Sequence, residues 1–335
     1  MVFKRLLGSL GVGGPTVDTV LPDWTTAPGG TVSGRVHLKG GSGDFEIEHI
    51  TLELVAHVEA EQDDGESHGT VAFDRFVVGG GFRLVAGAEH SVPFTVTLPW
   101  ETPITELYGQ PLGIALGVRT ELSVAGARDK GDLDQLAVGP LPVQEAILEA
   151  FGQLGFGFTS ADLEYGHIGG TGQRLPFYQE IELAPSPQYA HAVKEIELTF
   201  LTTPDGTEVV LEADKRGGTF SGGHDALARF TVAHADAGRQ DWNAVVDGWV
   251  RELVDHHVDH HGDHHSAHDP HASYDPSYGH DGGHRSGPGV GTAVAVGAAG
   301  LAVGVVGGMV AAEVVDEVGD FFEDEDESDD EGGED

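Results

Sequence analysis

The sequence predicts a mainly β protein: two tandem antiparallel β-sandwiches with one or two short helices and a low-complexity C-terminal tail. Three observations carry this. Runs of strict apolar/polar alternation recur from Val17 to about His234. The alternation stops between Thr120 and Phe158, where charges, prolines and a stretch of helical periodicity intervene. Beyond Leu253 the composition turns to histidine, then to glycine, alanine and valine, then to acid.

At the N-terminus Lys4 and Arg5 precede a short apolar stretch. Gly8, Gly11, Gly13, Gly14 and Pro15 break it too early for a secretory core, and no small-residue cleavage site follows, so the body is predicted to stay in the cytoplasm. The strands come next. Val32, Gly34, Val36 and Leu38 oppose Ser33, Arg35, His37 and Lys39. Ile50, Leu52, Leu54, Ala56, Val58 and Ala60 oppose His49, Thr51, Glu53, His57 and Glu59, with Val55 the exception. Val92, Phe94, Val96, Leu98 and Trp100 oppose Pro93, Thr95, Thr97 and Pro99. Side chains alternate across a strand, so such runs belong to antiparallel sheets with one wet face; two sheets packed on their apolar faces make a module.

Val118, Thr120, Leu122 and Val124 continue the pattern against Arg119, Glu121 and Ser123. From Ala127 to Asp134 the charges Arg128, Asp129, Lys130, Asp132 and Asp134 predict a solvated linker, with Asp129, Lys130 and Asp132 orienting two modules. After Pro140 and Pro142, Val143, Ile147, Leu148, Phe151 and Leu154 fall at helical spacing, and Gly155 ends the run. The second module repeats the strand pattern through Phe177, Ile181 and Leu183, through Ile196, Leu198 and Phe200, and through Val209, Leu211 and Ala213. Asp241 is placed to cap a final helix whose Trp242, Val245, Val246, Trp249, Val250, Leu253 and Val254 form a stripe to dock on that module. The predicted organisation is residues 1–134 and 135–255 for the two modules, 256–288 for a His-rich linker, 289–312 for an apolar segment and 313–335 for an acidic tail.

A formal charge of −39 over 335 residues excludes nucleic-acid backbones as partners of the body, because like charge repels. The absence of cysteine removes disulfides, thiolate metal sites and a thiol nucleophile. Gly65-Glu66-Ser67-His68-Gly69 matches the G-x-S-x-G pattern, yet that chemistry needs a strained strand-to-helix turn and here an acidic turn joins two alternating runs. The glycine clusters 11–14, 40–43 and 169–172 lack the context of a nucleotide-binding loop and read as turns. Glu180 with Glu182, and Glu195 with Glu197, read as solvated charges on outward strand faces, and His49 and His57 as surface partners of Glu53. No enzyme emerges.

Five stretches resemble the bacterial sporulation-control proteins with an arrestin-like fold: VSGRVHLKGG at 32–41, VPFTVTLPWETPIT at 92–105, DKGDLDQLAVGPLPVQEAILEAFGQLGFGF at 129–158, LPFYQEIELAP at 175–185 and VVLEADKRGG at 209–218. The resemblance extends to about Leu253. It implies an arrestin-like pair of antiparallel sandwiches joined by a short linker. It also implies a non-catalytic regulator or adaptor in sporulation or cell development, acting on protein partners whose identity it does not give.

The tail follows its own chemistry. His256, His257, His260, His261, His264, His265, His268 and His271 recur at spacings that bring imidazoles together on one helical face, a donor set for Zn²⁺, Ni²⁺ or Cu²⁺. Gly262 and Pro270 oppose a preformed site, so no metal is required. Residues 289–312 carry no charge and are long enough to span a ~30 Å hydrocarbon core, with Gly300, Gly304 and Gly308 at a spacing that lets helix backbones approach. Membrane insertion, self-association and disorder all stay open there. Fourteen acidic residues and no basic one fill 313–335. The alternative function is accordingly a membrane-associated sensor of metal or pH acting through this tail.

Overall fold

Alternation becomes strand wherever the apolar half finds a facing layer. The computed structural model describes residues 13–21, 25–62, 65–126, 129–215 and 226–259. The first module contains β1 (Thr16–Val20), β2 (Thr31–Lys39), β3 (Phe45–Gln62), β4 (Gly65–Gly79), β5 (Phe82–Leu84), β6 (Glu89–Thr97), β7 (Glu106–Leu107), β8 (Gln110–Pro111), β9 (Leu116–Val124) and β10 (Lys130–Gln135). After α1 (Pro142–Gln153) come β11 (Gly157–Tyr165), β12 (Phe177–Ala184), β13 (Val193–Thr202), β14 (Gly206–Lys215), β15 (Ala226–Ala233) and α2 (Trp242–Asp259). The protein is mainly β.

In the first module the small sheet β1-β2-β6 lies across from β3, β9 and β10, with β4 and β5 also paired to β3. Val17, Val36, Leu38, Phe94 and Val96 from one sheet and Ile50, Leu52, Leu54, Val118 and Leu122 from the other belong to one buried core. Within that core the hydroxyls of Thr19 and Thr120 satisfy each other at 2.7 Å. Val55, the exception to alternation, is fully buried, because β3 is central and its second face is partly covered.

Gly34 interrupts the apolar face of β2 for a steric reason. A Cβ there would stand 2.5 Å from the Phe94 ring and 2.6 Å from the Val20 carbonyl oxygen. Gly34→Val is expected to destabilise the chain by about 1–3 kcal/mol, the usual cost of overpacking. Chemical denaturation with an unchanged m-value checks it.

The predicted linker is instead strand β10, paired with β9 from Lys130↔Leu122 to Gln135↔Gly117. Leu133 is buried on one side, and Asp132 on the other accepts a hydrogen bond from the Thr19 amide at 2.5 Å. A carboxylate that accepts from a strand amide is worth burying in part, which a count of charges does not reveal. Asp129 likewise accepts from the Val124 amide at 3.1 Å. These acids therefore fasten strands within the first module and do not orient two modules.

The α1 periodicity is confirmed, with Pro142 in its first turn and Val143, Ile147, Leu148 and Phe151 buried. Gly155 adopts φ +90° just beyond it. In the second module β11 to β15 form one antiparallel run, joined to the first by a parallel pairing of Glu164 with Glu59. Its inner face packs against α2, where Trp249 stacks on Phe230 at 4.8 Å and Val246, Val250 and Leu253 are buried. Asp241 caps α2, accepting from the Ala244 amide at 3.2 Å. One contiguous apolar core runs through both modules.

Candidate functional site

Strand alternation sets which side chains leave the core of the second module. With Ile181, Leu183, Ile196, Leu198, Val209 and Leu211 inward, the outward positions of β11 to β14 are Asp162, Glu164, Tyr178, Glu180, Glu182, Glu195, Glu197, Glu208 and Glu212. Register puts acids directly opposite acids: Asp162 faces Glu180, Glu182 faces Glu197 and Glu197 faces Glu212. Like charges so placed destabilise a sheet by a few tenths of a kcal/mol to about 1 kcal/mol each.

The protein answers part of that repulsion with protons. Burial, followed by the charges of Glu197, Asp162, Glu164 and Glu212, pushes the Glu180 carboxyl up to about 9. The Tyr178 hydroxyl is pushed up by burial and by Glu180 beside it. Glu180 is thus a half-buried, neutral acid and not the solvated charge that its position on an alternating strand predicts. Ser160 donates a hydrogen bond to Glu182 at one end of the face, and at the other Arg229 pairs with Glu208 at 3.2 Å. Asp162, Glu164 and Glu180 each present an oxygen within 4.8 Å of the others, a set of hard donors of the type that Ca²⁺ or Mg²⁺ takes.

Two other polar clusters are structural. Glu53 is 9% exposed and accepts from both Nε and Nη2 of Arg119, at 2.9 and 2.6 Å, with Arg75 at 3.7 Å. Both arginines hold it, and His57 stacks on His68 at 5.6 Å. In β10, burial and the neighbouring Asp132 and Asp18 charges raise the Asp134 carboxyl well above the usual range.

Ser67 lies within strand β4, and its hydroxyl is 3.4 Å from the Ala60 carbonyl oxygen across the hairpin, far from the geometry of a nucleophile. Of the predicted metal ligands, the backbone of His256 and His257 lies in the last turn of α2. Their side chains, and His260, His261, His264, His265, His268 and His271, lie outside the described residues, as do Gly300, Gly304 and Gly308. No helix among the described residues is long and apolar enough to cross a membrane.

The modules meet through side chains that sequence reasoning did not single out. Gln179 of β12 brackets residue 104, accepting from the Ile104 amide at 3.0 Å and donating to its carbonyl at 2.8 Å. Glu101 accepts from the amides of Arg174 and Leu175 at 2.7 and 2.8 Å. Phe73 meets Phe177 edge to face at 5.5 Å. Both Gln179 and Glu101 lie inside stretches quoted for the family resemblance, which was the available signal.

Two strand-built modules, locked together and carrying an acidic outer sheet, define an arrestin-like β protein. The SpoOM protein family matches residues 3–217, and the chain belongs to it. It is 40% identical over 215 residues, 64% of this chain and 81% of the relative, to the sporulation-control protein Spo0M of Bacillus subtilis strain 168. The crystal structure of Spo0M from Bacillus subtilis superposes with a TM-score of 0.62 at 32% identity, covering 73% of this chain and all of that one.

Proposed function

We propose that this protein is a non-catalytic regulator of sporulation or cell development that works by docking proteins, with the outer face of β11 to β14 as the contact surface. Its kinship with a sporulation-control protein supports the regulatory role. The single observation that carries the docking surface is the register of its carboxylates, paired acid to acid across adjacent strands. A fold that tolerates such repulsion gains when a cationic segment of a partner covers it. The reading places the body in the cytoplasm.

Crosslinking in cells tests this. The wild-type chain is expected to give partner crosslinks that map to β11–β14. The Glu197→Lys, Glu212→Lys double variant is expected to lose at least ten-fold of them while keeping its circular dichroism and thermal transition. Partner crosslinks that persist in that variant, or that map to other surfaces, refute the surface. Fractionation of the same cells, with and without residues 289–312, separates it from the membrane-sensor alternative.

A further inference from the structure

Two of the stretches that carry the family resemblance touch in space. Trp100 to Thr105, stiffened by Pro99 and Pro103, reaches from the first module to three separate places on the second. Trp100 lies on Gly29, where φ is +71° and a Cβ would stand 2.5 Å from the indole, and it stacks on His234 at 5.4 Å. Glu101 holds the Arg174 and Leu175 amides. Residue 104 is bracketed by Gln179.

The middle contact matters most, because Arg174 and Leu175 belong to the connection between β11 and β12. That connection is folded on itself by Gln173, whose amide donates to the carbonyls of Gly166 and Leu175 at 2.7 and 2.8 Å and accepts from the Ile168 amide at 2.9 Å. At its far side Gly169 accepts from Arg229 of β15 at 3.4 Å. β15 lies three strands from β12. At ~4.8 Å per strand that separation is roughly 14 Å, which the connection and the Arg229 side chain reaching toward it close together. Outward-facing Thr199, Leu201 and Val210 are buried on the strands between β12 and β15.

We infer that residues 166–176 are a strap over one end of the acidic face, and that the first module sets its position through Glu101. With the modules as found, the strap is held closed. A rotation of one module against the other breaks the two bonds to Glu101 and uncovers the carboxylates toward β14. This inference rests on the docking surface proposed above, and it adds that access to the surface is governed from the other module.

Hydrogen exchange on the full chain tests it with two variants and an oligolysine peptide as probe. Glu101→Ala removes the direct tie, whereas Gln179→Leu loosens only the contact between modules. Both are expected to raise exchange of the 166–176 amides at least ten-fold, and to increase oligolysine protection of β11–β14 at least three-fold. Faster strap exchange in Glu101→Ala alone, or in neither, overturns the coupling. A strap loosened in both variants with no gain in protection overturns its role in access. The docking surface fails separately, if oligolysine protects β11–β14 equally in the wild-type chain and in the Glu197→Lys, Glu212→Lys variant.

Discussion

Phe177→Ala is expected to destabilise the protein by about 3–5 kcal/mol, the cost of emptying a buried aromatic site. Phe177 is 1% exposed, begins β12 and meets Phe73 of β4 edge to face. The substitution therefore opens a cavity where the two modules share one core. Because the core is continuous, unfolding is expected to remain a single transition with a lower midpoint. Calorimetry that resolved two transitions, with only the second displaced, would show instead that the modules unfold independently.

The second large effect is a pH dependence centred on Glu180. Its folded carboxyl titrates near 9, against ~4.3 for an unperturbed glutamate. The folded state binds the proton more tightly, so the favourable contribution is complete below about 4.3 and is lost as pH rises toward 9. Glu180→Gln keeps a neutral group of similar shape and escapes that loss. Near pH 5 the variant and the wild-type chain should melt alike. At pH 8.5 the variant is expected to be more stable by on the order of 1 kcal/mol, a rise of about 2–4 °C. A melting difference that stays constant between pH 5 and pH 8.5 contradicts the assignment. Asp134, raised by burial and by Asp132 and Asp18, adds a slope of the same sign. Asp134→Asn tested in parallel separates the two.

Much of the fold was legible because burial leaves a periodic trace. Alternation marked β2, β3, β6 and β9, the 3.6-residue period marked α1 and α2, and proline and glycine marked the ends of α1. The trace fails where polar groups are buried against specific partners. β10 reads as a linker because Asp132 and Asp134 look too costly to bury, and only the Thr19 amide on a strand over a hundred residues away explains Asp132. Glu180 reads as solvated for the converse reason: its strand position is outward, but its partial burial, followed by the charges of acids from β11, β13 and β14, holds its proton.

The sequence by itself determined the strand-rich character, the helix at the seam, the family resemblance and the chemistry of the tail, since each is written in local period or composition. Tertiary structure alone decided that the second module joins the first through Glu59 and Glu164, that α2 forms the layer against its sheet, and that Glu101 and Gln179 bind the modules together. It also decided which acids face one another. The physical reason is the same for all of these: they depend on strand order and register between residues far apart in the chain, and no local pattern records a distant neighbour.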